Sequence, residues 1–234
     1  MTNTPGSFLK IIDKVSLLRK FELFKNLNED ELQELACETA ILKVNKNKYI
    51  YRTDDNADFL YVLINGTLKL GNTSHYGREV IRTILHPTAL LGVCGLTNNN
   101  VHNSFAKTME SDVRLLKISV SGFTNIMKNN FSFNLKVIKN LGEKISTIEH
   151  RLESMVFNDA RARIIEFIKE NANKFGQKIG LETLLKHTLT QQEIANFTGT
   201  SRQTVTSVLN DLKSSNQIYF KRKSILIRDL STLA

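Results

Sequence analysis

The chain has 234 residues and a formal net charge of +9, which allows a well-buried core in two domains and favours a polyanionic partner. Its two cysteines are too few for a disulfide framework, and no apolar run approaches the roughly 20 residues of a membrane span. The N-terminus also lacks the apolar core of a signal peptide. We therefore expect a cytoplasmic protein without a membrane partner.

The N-terminal part begins with a short helix and continues as a series of strands. Asn28 and Glu31 form a capping box for a helix that continues to about Ala36. Between Ile41 and Ile118, β-prone runs alternate with polar turns, and Asn65-Gly66 predicts a hairpin. This spacing predicts a barrel or jelly roll in residues 1–128. The runs are Lys48–Arg52, Phe59–Ile64, Thr67–Leu70, Val80–Leu85 and Leu115–Ile118.

A long helix is predicted from about Asn129 to Phe157. Its apolar residues are spaced alternately three and four positions apart, which is typical of a coiled-coil seam and narrower than the stripe of a helix on a globular core. The simplest partner is a second copy of the chain, so we expect a homodimer joined along residues 129–157, with a regular core helix as the alternative. The seam residues are Ile138, Leu141, Ile145, Ile148, Leu152 and Met155.

Two short helices joined by a tight turn are predicted within residues 158–234, where Lys and Arg are also most concentrated. Thr190 and Glu193 form a capping box for the first helix. Ala195 is small where the helices would approach, and Gly199 can adopt the positive φ that such a turn commonly needs. This pattern predicts a helix-turn-helix, with an ordinary helical hairpin as the alternative.

The second helix of this pair has one apolar and one polar face. Thr200 or Ser201 can cap it. The apolar face consists of Val205, Val208, Leu209 and Leu212. The opposite face presents hydrogen-bonding side chains, as a recognition helix in the DNA major groove requires. We expect bases and phosphates to be contacted by Thr190, Gln191, Ser201, Arg202, Gln203, Thr204, Thr206 and Ser207.

Two β-prone runs follow the second helix, at residues 217–220 and 224–227, and Lys221-Arg222-Lys223 separates them. A hairpin with a cationic tip directly after a recognition helix is the form of a winged helix. The three cations would lie beside the DNA backbone and add sequence-independent affinity, with a solvated loop as the alternative. We expect a dimer on a pseudo-palindromic double-stranded DNA site, with RNA polymerase as a further candidate partner.

The order of these parts resembles the CRP/FNR family of bacterial transcription regulators, over about Leu23 to Leu230. Residues 189–195 and 199–205 are similar to the family signature T-x-x-E-I-A … G-x-S-R-E-T-V, and residues 59–66 resemble its LYYIVKG strand pair. The resemblance implies an α+β fold: an N-terminal β jelly-roll sensory domain of the cyclic-nucleotide-binding type, a long dimerisation helix and a C-terminal winged helix-turn-helix. It also implies a dimeric, sequence-specific DNA-binding regulator.

The resemblance fails where family members bind cyclic nucleotides. They carry a Gly-Glu-Leu segment, whose Glu accepts a ribose hydroxyl, and an Arg-Ser pair, whose Arg pairs with the phosphate. The matching residues are Gly92-Val93-Cys94 and Asn103-Ser104. Val93 and Asn103 supply neither contact, so an anionic phosphate would be left poorly compensated. We expect a degenerate effector pocket at these five residues and DNA binding that does not depend on cyclic AMP.

Other chemistries are alternatives. The iron–sulfur cluster of the oxygen-sensing branch needs four cysteines, which this chain lacks. Cys37 or Cys94 is a candidate redox thiol, His75 or His102 is a candidate haem ligand, and an unidentified effector of DNA binding fits the same barrel. A sensor whose helix-turn-helix binds only proteins is a further alternative. Metal-box spacing and hydrolase, P-loop and peptidase motifs are missing, so we expect no metal, no cofactor and no enzyme.

Overall fold

The computed structural model describes residues 13–97, 100–221 and 223–233. These residues form two compact units. The first contains the described residues up to Asn72 together with Ile84–Ser146, and the second contains Thr73–Thr83 together with the residues from Thr147 onward. Within the described ranges, no helix is both long enough and apolar enough to cross a membrane.

Eight strands build the jelly roll that the sequence predicts. They are β1 (Thr39–Val44), β2 (Tyr49–Tyr51), β3 (Phe59–Asn65), β4 (Leu68–Thr73), β5 (Glu79–Leu85), β6 (Leu90–Leu91), β7 (Phe105–Thr108) and β8 (Val113–Ser119). One sheet has the order β1-β8-β3-β6 and the other has the order β2-β7-β4-β5. Apolar side chains from both sheets, including Leu63, Leu68 and Leu115, share one core. The fold class predicted for the N-terminal part is therefore confirmed.

The turn at Asn65-Gly66 does not close a hairpin, so this prediction is wrong. β3 lies between β8 and β6 in its sheet, whereas β4 lies in the other sheet and pairs with β7. Both edges of β3 are thus occupied, and the turn carries the chain across to the second sheet. Gly66 is still required there, because its φ is +93° and a Cβ would lie 2.8 Å from Cγ2 of Val113.

The helices of the first unit include α1 (Glu29–Cys37), α2 (Val120–Asn129) and α3 (Phe131–Phe157), of which α3 continues into the second unit. The capping box predicted at Asn28 is present at the start of α1. The long helix α3 begins at Phe131 and not at Asn129, which ends α2. Between them, the Asn130 side chain accepts a hydrogen bond from the Phe133 backbone N–H at 2.9 Å, as an N-cap residue does.

The second unit contains three helices and a four-stranded sheet. They are α4 (Ala160–Phe175), β9 (Gln177–Ile179), β10 (Glu182–Lys186), α5 (Gln191–Thr198), α6 (Arg202–Ser214), β11 (Ile218–Lys221) and β12 (Ser224–Ile227), with the sheet order β11-β12-β10-β9. The Asp159 side chain caps α4 by accepting from the Ala162 backbone N–H. Helix α4 packs against both α5 and α6 and so supports the helix-turn-helix from behind.

Arg151, near the end of α3, attaches Thr73–Thr83 to the rest of the second unit. Its guanidinium group donates hydrogen bonds to the carbonyl oxygens of Ile81, Arg82 and Phe197. The same group lies 4.0 Å from the centre of the Phe197 ring, which is a cation–π contact. Since Phe197 belongs to α5, this one side chain connects the helix-turn-helix to α3.

Candidate nucleic-acid interface and effector segment

The first helix of the helix-turn-helix, α5, begins and ends as the sequence predicts. The Thr190 hydroxyl accepts from the Glu193 backbone N–H at 3.2 Å, and the Glu193 carboxylate accepts from the Thr190 backbone N–H at 3.0 Å. Gly199 ends the helix with a φ of +66°, and Ala195 is completely buried. The turn and the close approach therefore depend on these two small residues.

Of the two candidate caps for α6, Ser201 is the one that the structure uses. Its hydroxyl accepts from the Thr204 backbone N–H at 3.0 Å. Thr200 is buried, and its hydroxyl lies 3.0 Å from that of Thr198. The apolar residues of α6 all face the core, as expected: Val205, Val208, Leu209 and Leu212.

The opposite face of α6 presents the predicted contact residues to solvent. Arg202, Gln203 and Ser207 are exposed, and Arg202 has no side-chain partner among the residues described. Arg202 is the first residue of α6, where the helix dipole also favours electronegative groups. The Thr206 hydroxyl lies 2.9 Å from both Gln191 Oε1 and the Arg202 carbonyl oxygen, so it can donate to only one of them at a time. This face can therefore offer donors to an electronegative groove.

The predicted wing is an antiparallel hairpin of β11 and β12. Lys221 and Lys223 are both exposed at its tip, whereas Arg222 lies outside the described residues. Lys223 adopts a φ of +67°, in the left-handed region. The Nζ atoms of Lys221 and Lys213 lie 5.6 and 5.7 Å from the centre of the Tyr219 ring. Lys213, in the last turn of α6, thus joins the cationic surface, although the sequence analysis did not single it out.

The predicted dimer seam is an exposed apolar stripe along α3. The exposed fractions are 61% for Ile138, 57% for Ile145, 68% for Ile148 and 62% for Leu152 in the single chain, and Met155 is also exposed. Leu141 is half-buried and packs against the core of the first unit. A helix that turned this face to its own core would bury all six residues, so the stripe needs another apolar surface.

The degenerate effector segment forms a short 3-10 helix, Val93–Leu96, that follows Gly92. Gly92 has a φ of +80°, and a Cβ there would lie 2.7 Å from the Phe59 carbonyl oxygen, so only glycine fits. Asn103 is exposed, whereas Ser104 is buried. Val93 therefore presents an apolar side chain where a carboxylate would bind the nucleotide, and Asn103 presents an amide where a guanidinium group would bind it.

Cys94 and His102 connect the two halves of this segment. The Cys94 sulfur lies 3.2 Å from Nδ1 of His102, and the imidazole stacks on the Tyr51 ring with 3.6 Å between ring centres. His102 is only 1% exposed, and among the described residues its Nε2 atom has no hydrogen-bond partner. Burial lowers the pKa of His102, so the neutral imidazole is favoured. Sequence spacing alone gave no signal of this pair.

Lys144 is a second group near the effector segment that the sequence did not single out. It lies on α3, and its Nζ atom donates a hydrogen bond to the carbonyl oxygen of Leu90, two residues before Gly92. Burial lowers the pKa of Lys144 to about 8. The heptad pattern gives no reason to single out Lys144, because periodicity does not show which loop a side chain beside the seam reaches.

Together these features define a two-part regulator with a nucleotide-binding type of barrel and a DNA-binding winged helix. Comparison with known families agrees: the cyclic nucleotide-binding domain model matches residues 41–130, and the Crp-like helix-turn-helix domain model matches residues 162–234. The chain belongs to the CRP/FNR family of transcription regulators. Regulators of this family bind DNA through the helix-turn-helix.

Similar proteins extend over nearly the whole chain. A CRP-like cAMP-activated global transcriptional regulator of Mycobacterium tuberculosis is 24% identical over 218 residues, which cover 93% of this chain and 97% of that protein. The global nitrogen regulator of a Nostoc species is 26% identical over 190 residues, or 81% and 85% of the two chains.

Solved structures share the fold. FixK2 from Bradyrhizobium japonicum has a TM-score of 0.74 at 17% identity and covers 83% of this chain and 95% of its own. A CooA mutant from Carboxydothermus hydrogenoformans has a TM-score of 0.72 at 25% identity, with coverages of 84% and 87%. The complete order of barrel, long helix and winged helix is thus shared with both structures.

Proposed function

We propose that this protein is a homodimeric, sequence-specific DNA-binding transcription regulator whose DNA binding does not require cyclic AMP. The observation that carries the proposal is the solvent-facing row at the start of α6, headed by the exposed Arg202, together with the exposed lysines at the tip of the wing in the same unit. An apolar back and a polar, basic front are what a recognition helix needs to enter the major groove.

Dimerisation is supported by the exposed seam of α3. In the single chain, isoleucine and leucine side chains that are more than half exposed leave apolar surface in contact with water, which is unfavourable. A second helix that covers them would remove this surface from water. A two-fold dimer would place two recognition helices about one DNA turn apart, roughly 34 Å, and would explain a pseudo-palindromic site. In this arrangement the domains are residues 1–128, 129–157 and 158–234, of which the middle segment joins the two chains.

Base readout is assigned to Arg202 and Gln203. Arg202 is suited to a bidentate contact with guanine O6 and N7, and Gln203 is suited to adenine N6 and N7. Ser207, one turn further along α6, is too short for a second bidentate guanine contact. Each half-site should therefore contain one guanine and otherwise be rich in A·T pairs, while Thr190, Thr204 and the wing cations hold phosphates.

Independence from cyclic AMP is supported by the chemistry of the effector segment. Val93 has no acceptor for a ribose hydroxyl, and Asn103 is exposed and uncharged where a phosphate would need a cation. Family membership alone does not argue for the nucleotide, because the two groups that bind its polar parts are replaced. The similar protein of Mycobacterium tuberculosis is named as cAMP-activated, and the proposal sets the present chain apart from it in this respect.

Selection of bound duplexes from a random DNA pool tests the proposal. The nucleotide-free protein should enrich a two-fold symmetric site with one guanine in each half-site. Arg202→Ala should cost about 1–3 kcal/mol and relax the preference at one base pair of each half-site. Lys20→Ala is the matched control, since it removes one exposed positive charge from the first compact unit, which does not contain the helix-turn-helix. Two invariant guanines per half-site, or unchanged specificity in Arg202→Ala, would refute the assignment.

An alternative function is that oxidation in the barrel controls DNA binding, and the Cys94–His102 contact specifically favours it. With a peroxide as oxidant, the thiol proton passes to His102 Nδ1 and the sulfur attacks one peroxide oxygen. The O–O bond breaks, and the leaving oxygen takes up a proton to form water, leaving a sulfenic acid. Hydrogen peroxide should then change DNA affinity in the wild type and in Cys37→Ser but not in Cys94→Ser; equal responses would exclude this alternative.

A further inference from the structure

Three potential metal ligands converge where α3 meets α4, on residues that no part of the DNA-binding proposal uses. The Nε2 atom of His150 lies 3.3 Å from Glu166 Oε1 and 3.7 Å from Glu170 Oε1. One ligand atom from each residue lies within 4.8 Å of those of the other two. All three residues belong to the second compact unit.

Local geometry explains why these side chains meet. Glu166 and Glu170 are four residues apart on α4, so they project from the same side of that helix. The chain turns at Asn158 and Asp159 between the two helices, which brings that side of α4 against the last turns of α3. In the heptad of the seam His150 occupies position f, so a coiled-coil partner would leave it accessible.

One of the two carboxylates is held in place by its own hydrogen bonds. The Ser154 hydroxyl, on a residue that is only 8% exposed, donates to Glu166 Oε2. The Asn158 amide lies 3.4 Å from the same oxygen. These two donors occupy Oε2 and leave Oε1 facing His150. Metal sites commonly orient their ligands in this way, through hydrogen bonds from neighbouring side chains.

The two separations measured from His150 fit the coordination shell of a small ion. Nitrogen and oxygen ligands at about 2.1 Å from a tetrahedral ion lie about 3.4 Å from one another. The two distances measured from His150 bracket this value. The ligands border a cleft of about 560 Å³, which has room for water in a remaining coordination position. Arg161 and Lys169 also line the cleft, so the two carboxylates are not its only charges.

We propose that His150, Glu166 and Glu170 form a site for a divalent transition metal ion of the zinc type. An imidazole nitrogen with two carboxylates suits zinc and its neighbours, whereas magnesium and calcium prefer oxygen ligands alone. An ion pair between a protonated His150 and the carboxylates is the competing account. It would contribute little, because the three side chains are 62%, 28% and 41% exposed.

A bound ion would fix α4 to the end of α3. Helix α4 supports the helix-turn-helix directly, because the Arg163 Nε atom donates to the Thr198 carbonyl oxygen at 2.9 Å and the Phe167 and Phe197 rings lie 5.0 Å apart. Metal binding would therefore stabilise the base on which α5 and α6 rest. Any effect on DNA affinity rests on the proposed function, but metal binding itself does not.

Calorimetric titration of the chelator-treated, full-length protein with zinc chloride tests the site. We expect one zinc ion per chain, and at least a tenfold loss of affinity in both His150→Gln and Glu170→Gln. Ser154→Ala should weaken binding by about tenfold, because it releases Glu166 without removing a ligand. His75→Gln and Cys94→Ser are the matched controls, since they remove other metal-binding side chains, and both should bind zinc like the wild type.

Thermal unfolding in excess EDTA is measured alongside, to show that each variant is folded. If the wild type binds no zinc, or if His150→Gln and Glu170→Gln retain wild-type affinity, the site does not exist. A stability loss in His150→Gln measured in excess EDTA, together with no zinc binding by the wild type, would instead identify an ion pair and overturn the proposal. Zinc binding is measured without DNA, so a failed DNA selection would leave a positive result standing.

Discussion

Replacing Ile145 and Ile148 with aspartate should dissociate the dimer. Complete burial of an isoleucine side chain stabilises the buried state by about 1.5–3 kcal/mol. In the single chain Ile145 is 57% exposed and Ile148 is 68% exposed, and a partner helix can cover this remaining surface. Two such residues in each of two chains then contribute about 5 kcal/mol, which corresponds to nearly four orders of magnitude in the dissociation constant. Four unpaired carboxylates in the seam add a desolvation penalty, so an increase of at least about a thousandfold is expected.

Sedimentation velocity over a range of protein concentrations measures this change. The wild type should sediment as a dimer, and the double variant as a folded monomer with an unchanged circular dichroism spectrum. Ser146→Asp adds a carboxylate at an exposed position directly after Ile145, outside the seam, and should remain dimeric. If the double variant sediments as the wild type does, the seam is not the interface.

Three further results are expected. Lys221→Gln should weaken binding to all DNA sequences about equally and reduce the slope of log affinity against log salt by about one, in a fluorescence anisotropy titration. Ala195→Leu should lower the free energy of unfolding by about 1–3 kcal/mol and abolish specific binding, because the site is fully buried where two helices meet. Lys144→Met should raise the free energy of unfolding at pH 7 by about 1–3 kcal/mol. The native pKa of Lys144 is about 8, below the usual lysine value of 10.5, so burial of the charged amine destabilises the folded wild type at pH 7. Between pH 8 and 10.5 the lysine is neutral in the folded wild type but still charged in the unfolded chain, so wild-type stability rises over this range. The stability advantage of the variant in denaturant titrations should therefore shrink between these pH values.

The helix-turn-helix could be predicted almost completely because its signals are local. Thr190 and Glu193 are three residues apart, and Gly199 stands at the turn itself, so a short window of sequence contains the whole capping and turn chemistry. Only the choice between Thr200 and Ser201 stayed open. Ser201 caps the helix because Thr200 is buried and its hydroxyl lies beside that of Thr198.

The sequence was sufficient to predict the fold class of the barrel but not which strands pair with one another. Strand β6 has two residues and β7 has four, too few for an alternating pattern to stand out. Asn65-Gly66 has the composition of a hairpin turn, yet pairing depends on which strand edges remain available. Strands β6 and β8, distant in sequence, occupy both edges of β3, and no local pattern records this.

The most informative side-chain contacts are tertiary. His150 and Glu166 lie 16 positions apart on different helices, and Lys144 reaches a carbonyl oxygen more than 50 residues earlier in the chain. Periodicity along α3 gives no information about which groups the side chains of His150 and Lys144 contact. The dimer seam, in contrast, was visible because its residues repeat along one helix.

Titration of a labelled duplex carrying the selected site with the nucleotide-free protein tests the central claim most directly. We expect saturation at two chains per duplex and the same dissociation constant with and without added cyclic AMP. Saturation at one chain per duplex, or binding that appears only after cyclic AMP is added, would contradict it.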